Sequence, residues 1–125
     1  MTENEIATAA IDICFKIHDQ YGPGLFESVY ETIFCFEWEK TNLPYVRQTG
    51  IRIYHEGRDM GIGFIPDLIL ADKVIIELKS VEGIEDVHHK QLLTYLRITG
   101  LKLGLLINFN VSYIKNGIRR IVNNL

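Results

Sequence analysis

The sequence predicts a single α/β domain in which a mixed β-sheet is flanked by helices, and three observations carry that expectation. Segments with helical spacing and short β-branched runs follow one another in the order α-α-β-β-β-α-β-β. One run, Leu101 to Phe109, is predominantly apolar, as in a strand covered on both faces. At 125 residues and 47% hydrophobic content, the chain can bury one core but not two, so residues 1–125 are expected to form one domain.

Each element has a local reason. Thr2-x-x-Glu5 has the form of a capping box, and Ile6, Ala10, Ile13 and Ile17 then recur at helical spacing. Tyr21-Gly22-Pro23-Gly24 should end that helix, because Pro23 biases Gly22 away from helical geometry. A second helix is expected from about Leu25 to Lys40. Phe26, Val29, Ile33, Phe36 and Trp38 surround much of its circumference, which predicts that it is largely buried. Asn42-Leu43-Pro44 breaks it, and Tyr45 to Tyr54 reads as a strand. Beyond the turn at Glu56-Gly57-Arg58-Asp59, Gly61 to Leu70 and Lys73 to Ser80 read as two more strands. A third helix spans about Ile84 to Thr99, with Glu85 and Asp86 where the helix dipole favours acid, and Gly100 caps it. Leu101 to Phe109 is the interior strand. Tyr113 to Val122 reads as a short hairpin, or a strand with an extension, around Asn116-Gly117.

The formal charge of -3 argues against a protein that grips nucleic acid by net charge alone. The charge is uneven, however. Residues 1–62 carry five basic and ten acidic side chains and residues 63–125 eight and six, so Lys79, Lys90, Arg97, Arg119 and Arg120 could form a local basic face. A merely solvated surface explains the count equally well. Cys14 and Cys35 have no Cys or His at a zinc-ligand spacing and are expected to be buried thiols. There is no apolar stretch of membrane-spanning length and no basic-then-apolar leader, so a soluble, cytoplasmic protein is expected.

The chemistry is concentrated in Ile65-Pro66-Asp67 through Glu77-Leu78-Lys79. Charged side chains on otherwise apolar strands need partners, since an unpaired buried charge is expensive. If Ala71-Asp72-Lys73 is the loop of an antiparallel hairpin, Leu70 pairs with Val74 and Asp67 falls opposite Glu77. Lys79 lies two residues beyond Glu77 and therefore on the same face. Two adjacent carboxylates repel unless a cation lies between them, and such oxygen ligands suit Mg²⁺ or Mn²⁺, with the Leu78 carbonyl as a further ligand. A lysine beside that ion suits phosphodiester hydrolysis.

Pro66-Asp67 followed by Glu77-Leu78-Lys79 resembles the PD-(D/E)xK nuclease superfamily, and Gly24-Leu25-Phe26-Glu27-Ser28-Val29-Tyr30 is similar to the signature of its GxxExxY family. The resemblance extends through Gln91-x-x-x-Tyr95, Leu103 to Phe109 and Gly117 to Val122, nearly the whole chain. It implies a restriction-endonuclease-like fold and a Mg²⁺-dependent nuclease acting on nucleic acid, DNA more than RNA. It implies Glu27, Asp67, Glu77 and Leu78 as the metal set, and Asp67, Glu77, Lys79 and Gln91 as catalytic residues. Tyr30 and Tyr95 would contact substrate. A homodimer stays open, because enzymes that cut both strands are often dimers, yet no coiled-coil pattern is present.

Plainer readings stand beside these. Asp67, Glu77 and Lys79 could be a salt-bridged cluster at a sheet edge, Glu27 a dipole partner in a first helical turn, and Tyr30, Gln91 and Tyr95 ordinary residues of helices facing a sheet. His88 and His89 are neighbours on a helix and cannot both face one ion. Arg119 and Arg120 fit a solvated tail, with phosphate contact as the functional alternative. The competing function is an inactive nuclease-fold module that binds nucleic acid or a protein partner. Hydrolysis of a small nucleotide is disfavoured by the lack of a Gly-rich phosphate loop.

Overall fold

A computed structural model describes residues 1–125. Helix α1, Glu3–Tyr21, starts at the expected capping box: Thr2 Oγ1 accepts from the Glu5 N–H at 3.2 Å and Glu5 Oε1 from the Thr2 N–H at 2.9 Å. It buries Ile6, Ala7, Ala10, Cys14 and Ile17 and stops at Gly22, whose φ of 66° few other residues would accept. Helix α2, Glu27–Glu39, packs beside it and buries Tyr30, Glu31, Phe34, Cys35 and Trp38. The expectation that α2 is largely buried is corrected, because only α1 and one sheet face cover it. Phe26, Val29 and Phe36 remain exposed, Phe36 by 64%.

Seven strands follow: β1 Tyr45–Arg47, β2 Ile51–His55, β3 Arg58–Phe64, β4 Leu68–Leu70, β5 Val74–Lys79, β6 Leu103–Asn108 and β7 Ile118–Val122. Helix α3, Asp86–Thr99, links β5 to β6, and a 3₁₀ turn at Ile114–Gly117 precedes β7. The main sheet has the order β1-β4-β5-β6-β7, and β2 and β3 form a separate two-stranded hairpin. Only β5 and β6 are parallel, as a helical crossover between them allows. The sheet is therefore mixed and flanked by helices, as the residue patterns predict.

Two of the expected strands are broken, for physical reasons. Tyr45 to Tyr54 divides at Gln48, whose φ of 50° is left-handed and turns the chain out of the main sheet. Gly61 to Leu70 divides at Ile65-Pro66, because Pro66 has no N–H to continue a ladder. The Asn116-Gly117 turn belongs to a 3₁₀ turn followed by one edge strand, which is the second of the two forms expected for the tail.

Strand alternation divides the sheet into two faces. Leu68, Leu70, Val74, Ile76, Leu78, Leu103, Leu105 and Ile107 face α1 and α2, together with Phe109 from the end of β6. Ile69, Ile75, Leu106 and Ile121 face Leu92 and Leu96 of α3. The strand starts at Leu103 rather than Leu101, because Lys102 is charged and exposed; Leu103 to Phe109 is buried throughout, Asn108 included. Cys14 and Cys35 are free and buried, and burial raises both thiol pKa values. No helix is long and apolar enough to cross a membrane.

Candidate active site

The site grows from the β4–β5 hairpin. Ala71 and Asp72 have φ values of 51° and 55°, and the Lys73 N–H closes the turn on the Leu70 carbonyl at 2.9 Å. The resulting three-residue loop sets the pairs Leu70↔Val74, Ile69↔Ile75 and Leu68↔Ile76. One step beyond the ladder, Asp67 meets Glu77. The Leu78 N–H donates to Asp67 Oδ2 at 2.8 Å, and the Asp67 N–H reaches Glu77 Oε1 at 3.4 Å. Asp67 and Glu77 have the parity of Ile69 and Ile75, so both lie on the α3 face, and Lys79 shares it.

The environment makes this an unbalanced pair. Burial first, and the Asp67 carboxylate second, push the Glu77 carboxyl from 4.5 up to about 8, while Lys79 acts in the opposite sense without cancelling them. Lys79 itself is half-buried and forms no ion pair. Its backbone is fixed from β6, where the Phe109 N–H donates to the Lys79 carbonyl at 2.9 Å.

The loop after Lys79 is gripped from two sides. The Ser80 N–H donates to Glu27 Oε2 at 3.0 Å, and Ser80 Oγ donates to the Leu25 carbonyl at 3.1 Å. Asn108, 2% exposed at the end of β6, accepts from the Val81 N–H at 3.1 Å and donates to the Val81 carbonyl at 2.9 Å. Glu27 thus ties α2 to the end of β5. No group of three His, Cys, Asp or Glu side chains is gathered to hold a metal ion, so Glu27 does not join Asp67 and Glu77 in one preformed cluster. Glu27 and Asp67 instead line one cavity of about 580 Å³ with Ser28, Glu31, Arg47 and Gln48.

Helix α3 brings Tyr95 to the pair. Its ring stacks on Phe64 at 3.9 Å between centroids, and burial followed by the charges of Glu77 and Asp67 raises its hydroxyl pKa. Gln91, one turn earlier and exposed, lies near enough to that hydroxyl to oppose the rise in part. Tyr30 lies elsewhere. It is fully buried against Phe109, 4.2 Å between ring centroids, and its hydroxyl donates to the Gly22 carbonyl at 2.6 Å and accepts from the Leu25 N–H at 3.2 Å. A substrate contact by Tyr30 is therefore corrected to a packing role that shapes the Gly22–Leu25 turn. His88 Nδ1 accepts from the Glu85 N–H at 3.1 Å and serves the start of α3.

Sequence reasoning did not single out Glu31, Arg47, Gln48, Ser80 or Asn108 as functional. Glu31 carried a usable signal, because a carboxylate between Tyr30 and Phe34 on a buried helix face demands a partner. That partner is Arg47, whose Nε lies 2.6 Å from Glu31 Oε2.

The donor set is chemically suited to a hard divalent cation: two carboxylates, and the Leu78 carbonyl, which leaves β5 on the same side as its N–H. The raised Glu77 pKa marks a place where positive charge is wanted. No curated protein and no solved structure matches the chain. The family model of the PD-(D/E)XK nuclease superfamily matches residues 4–121, and the chain belongs to that superfamily.

Proposed function

We propose that this protein is a Mg²⁺- or Mn²⁺-dependent nuclease that hydrolyses phosphodiester bonds, with DNA as its substrate. The Gly24 to Tyr30 segment supports placing it in the GxxExxY group of its superfamily. The observation that carries the reading is the meeting of Asp67, Glu77 and Lys79 on one face. Burial and the Asp67 carboxylate, which push the Glu77 carboxyl up to about 8, support it. A scaffold salt bridge would pair Lys79 with a carboxylate, and Lys79 has no such pair.

Asp67, Glu77 and the Leu78 carbonyl would hold the ion, with Glu27 on the wall of the cavity that Asp67 also lines. Bound there, a divalent cation supplies Lewis-acid neutralisation of the phosphate charge. Lys79 donates to the scissile phosphate and stabilises its negative charge as water attacks phosphorus, the new P–O bond forms and the bond to the leaving oxygen breaks; the attacking water gives its proton to solvent and the leaving oxygen takes one from solvent. Tyr95, its hydroxyl pKa raised further above neutrality, stays a proton donor and with Gln91 orients Lys79 or a phosphate oxygen. Full retention of Asp67, Glu77 and Lys79 favours the enzyme over an inactive module.

The test is cleavage of single- and double-stranded DNA, linear and circular, by wild type and Lys79→Ala with Mg²⁺, Mn²⁺ or EDTA. Cutting that needs metal and is lost in the variant is expected. Equal cutting by both would assign it to another site, and no cutting of any substrate would favour the binding module.

A further inference from the structure

We infer that Gln48 is a positioning residue that holds Asp67 in its metal-ligating orientation by bridging it to the buried carboxylate Glu31; the inference rests on the metal-dependent reading above. Gln48 Nε2 lies 2.8 Å from Glu31 Oε1 and 3.0 Å from Asp67 Oδ1. Both partners are acceptors only, so the end of the amide between them must be its NH₂ group, one N–H for each. The Gln48 backbone N–H also donates to the Asp67 carbonyl at 3.0 Å. Asp67 is thereby fixed at three oxygens: its carbonyl and Oδ1 by Gln48, and Oδ2 by the Leu78 N–H.

The backbone is shaped for this bridge. Arg47 and Gln48 are consecutive, and in an extended strand their side chains would leave on opposite faces. Both nevertheless reach Glu31, Arg47 at Oε2 and Gln48 at Oε1. The left-handed Gln48, φ 50°, makes that convergence available at a position where neither Gly nor Asn relieves the conformation. Glu31 is 6% exposed, and Arg47 balances its charge, so the anchor is rigid and does not add an unpaired charge beside Asp67. Arg47 also donates to Thr32 Oγ1 at 3.0 Å, fixing the anchor to the next residue of α2. A rigid partner behind a ligating carboxylate commonly contributes 10- to 100-fold, on the order of one to two decades, in metal affinity.

The experiment is calorimetric titration of Mn²⁺ into metal-free wild type, Asp67→Asn, Gln48→Met and Gln48→Asn, with thermal midpoints in EDTA as the fold control. Gln48→Met keeps length and loses the donors. Gln48→Asn keeps the amide and tolerates the left-handed backbone but is one methylene too short to span both carboxylates. Asp67→Asn is expected to abolish binding, and Gln48→Met to weaken it about tenfold or more with a cooperative transition retained. Gln48→Asn is expected to weaken it by at least about threefold, and added Mn²⁺ should restore most of the cleavage rate in both Gln48 variants. Wild-type affinity in either folded Gln48 variant, with binding lost in Asp67→Asn, overturns the positioning role alone. Loss of fold in both Gln48 variants also overturns it, by making the residue structural. No Mn²⁺ binding by wild type, or undiminished binding by Asp67→Asn, overturns the metal-dependent reading instead.

Discussion

Replacing Glu77 with its neutral isostere, Glu77→Gln, removes the carboxyl whose proton the folded site retains. Burial and the Asp67 charge raise that group from 4.5 to about 8. Between those values the folded state keeps a proton that the unfolded chain releases. The associated stability is therefore present below pH 4.5 and is lost as pH rises through about 8. At roughly 1.4 kcal/mol per pH unit, metal-free wild type should lose about 4 kcal/mol relative to Glu77→Gln between about pH 5 and pH 8.5. That is a large share of the ~5–15 kcal/mol that holds a domain folded. Urea denaturation in EDTA at several pH values measures it, because other titrating groups cancel in the difference between the two proteins. Added Mg²⁺ should return stability to wild type at high pH and have little effect on Glu77→Gln, since a bound cation favours the ionised carboxylate. Parallel pH profiles for the two proteins would show that Glu77 ionises freely and that the site has no demand for a cation.

Lys79→Ala should retain Mn²⁺ binding while cleavage falls by about 100-fold or more, checked by calorimetry and a gel assay on one preparation; weakened Mn²⁺ binding would move Lys79 from chemistry to structure. Tyr30→Phe loses both hydrogen bonds to the Gly22–Leu25 turn and should cost about 1–3 kcal/mol by urea denaturation, with the Mn²⁺ affinity unchanged. Gly117→Ala would drive a Cβ into the Asn108 carbonyl oxygen, which is backbone and cannot yield cheaply. It should cost about 1–3 kcal/mol, read as a lowered thermal midpoint.

The hairpin was the most legible part of the molecule. Its parity depends on the loop length: the observed pairs from Leu70↔Val74 to Leu68↔Ile76 are those expected if Ala71-Asp72-Lys73 is the loop, whereas a loop of even length would have scattered the three charges. Capping at Thr2, the ends at Gly22 and Gly100, and the fully buried β6 were readable for the same reason: each is dictated by neighbours in sequence. The breaks at Gln48 and Pro66 were less legible. A left-handed glutamine carries no local signature, and the residue adopts that backbone here as it pairs with groups 17 and 19 positions away. Tyr30 shows the converse difficulty. Spacing places it beside Glu27, but whether its hydroxyl meets solvent or the carbonyl of Gly22 depends on the path of a turn that periodicity does not define. Exposure of Phe36 was likewise hidden, because an apolar helix face is buried only where another element covers it.

A crystal soaked in Mn²⁺ tests the ion site most directly. An anomalous peak about 2 Å from oxygens of both Asp67 and Glu77, with the Leu78 carbonyl beside it, is the expected result. A featureless map between those two side chains at saturating Mn²⁺, or a peak bound elsewhere on the chain, would contradict it.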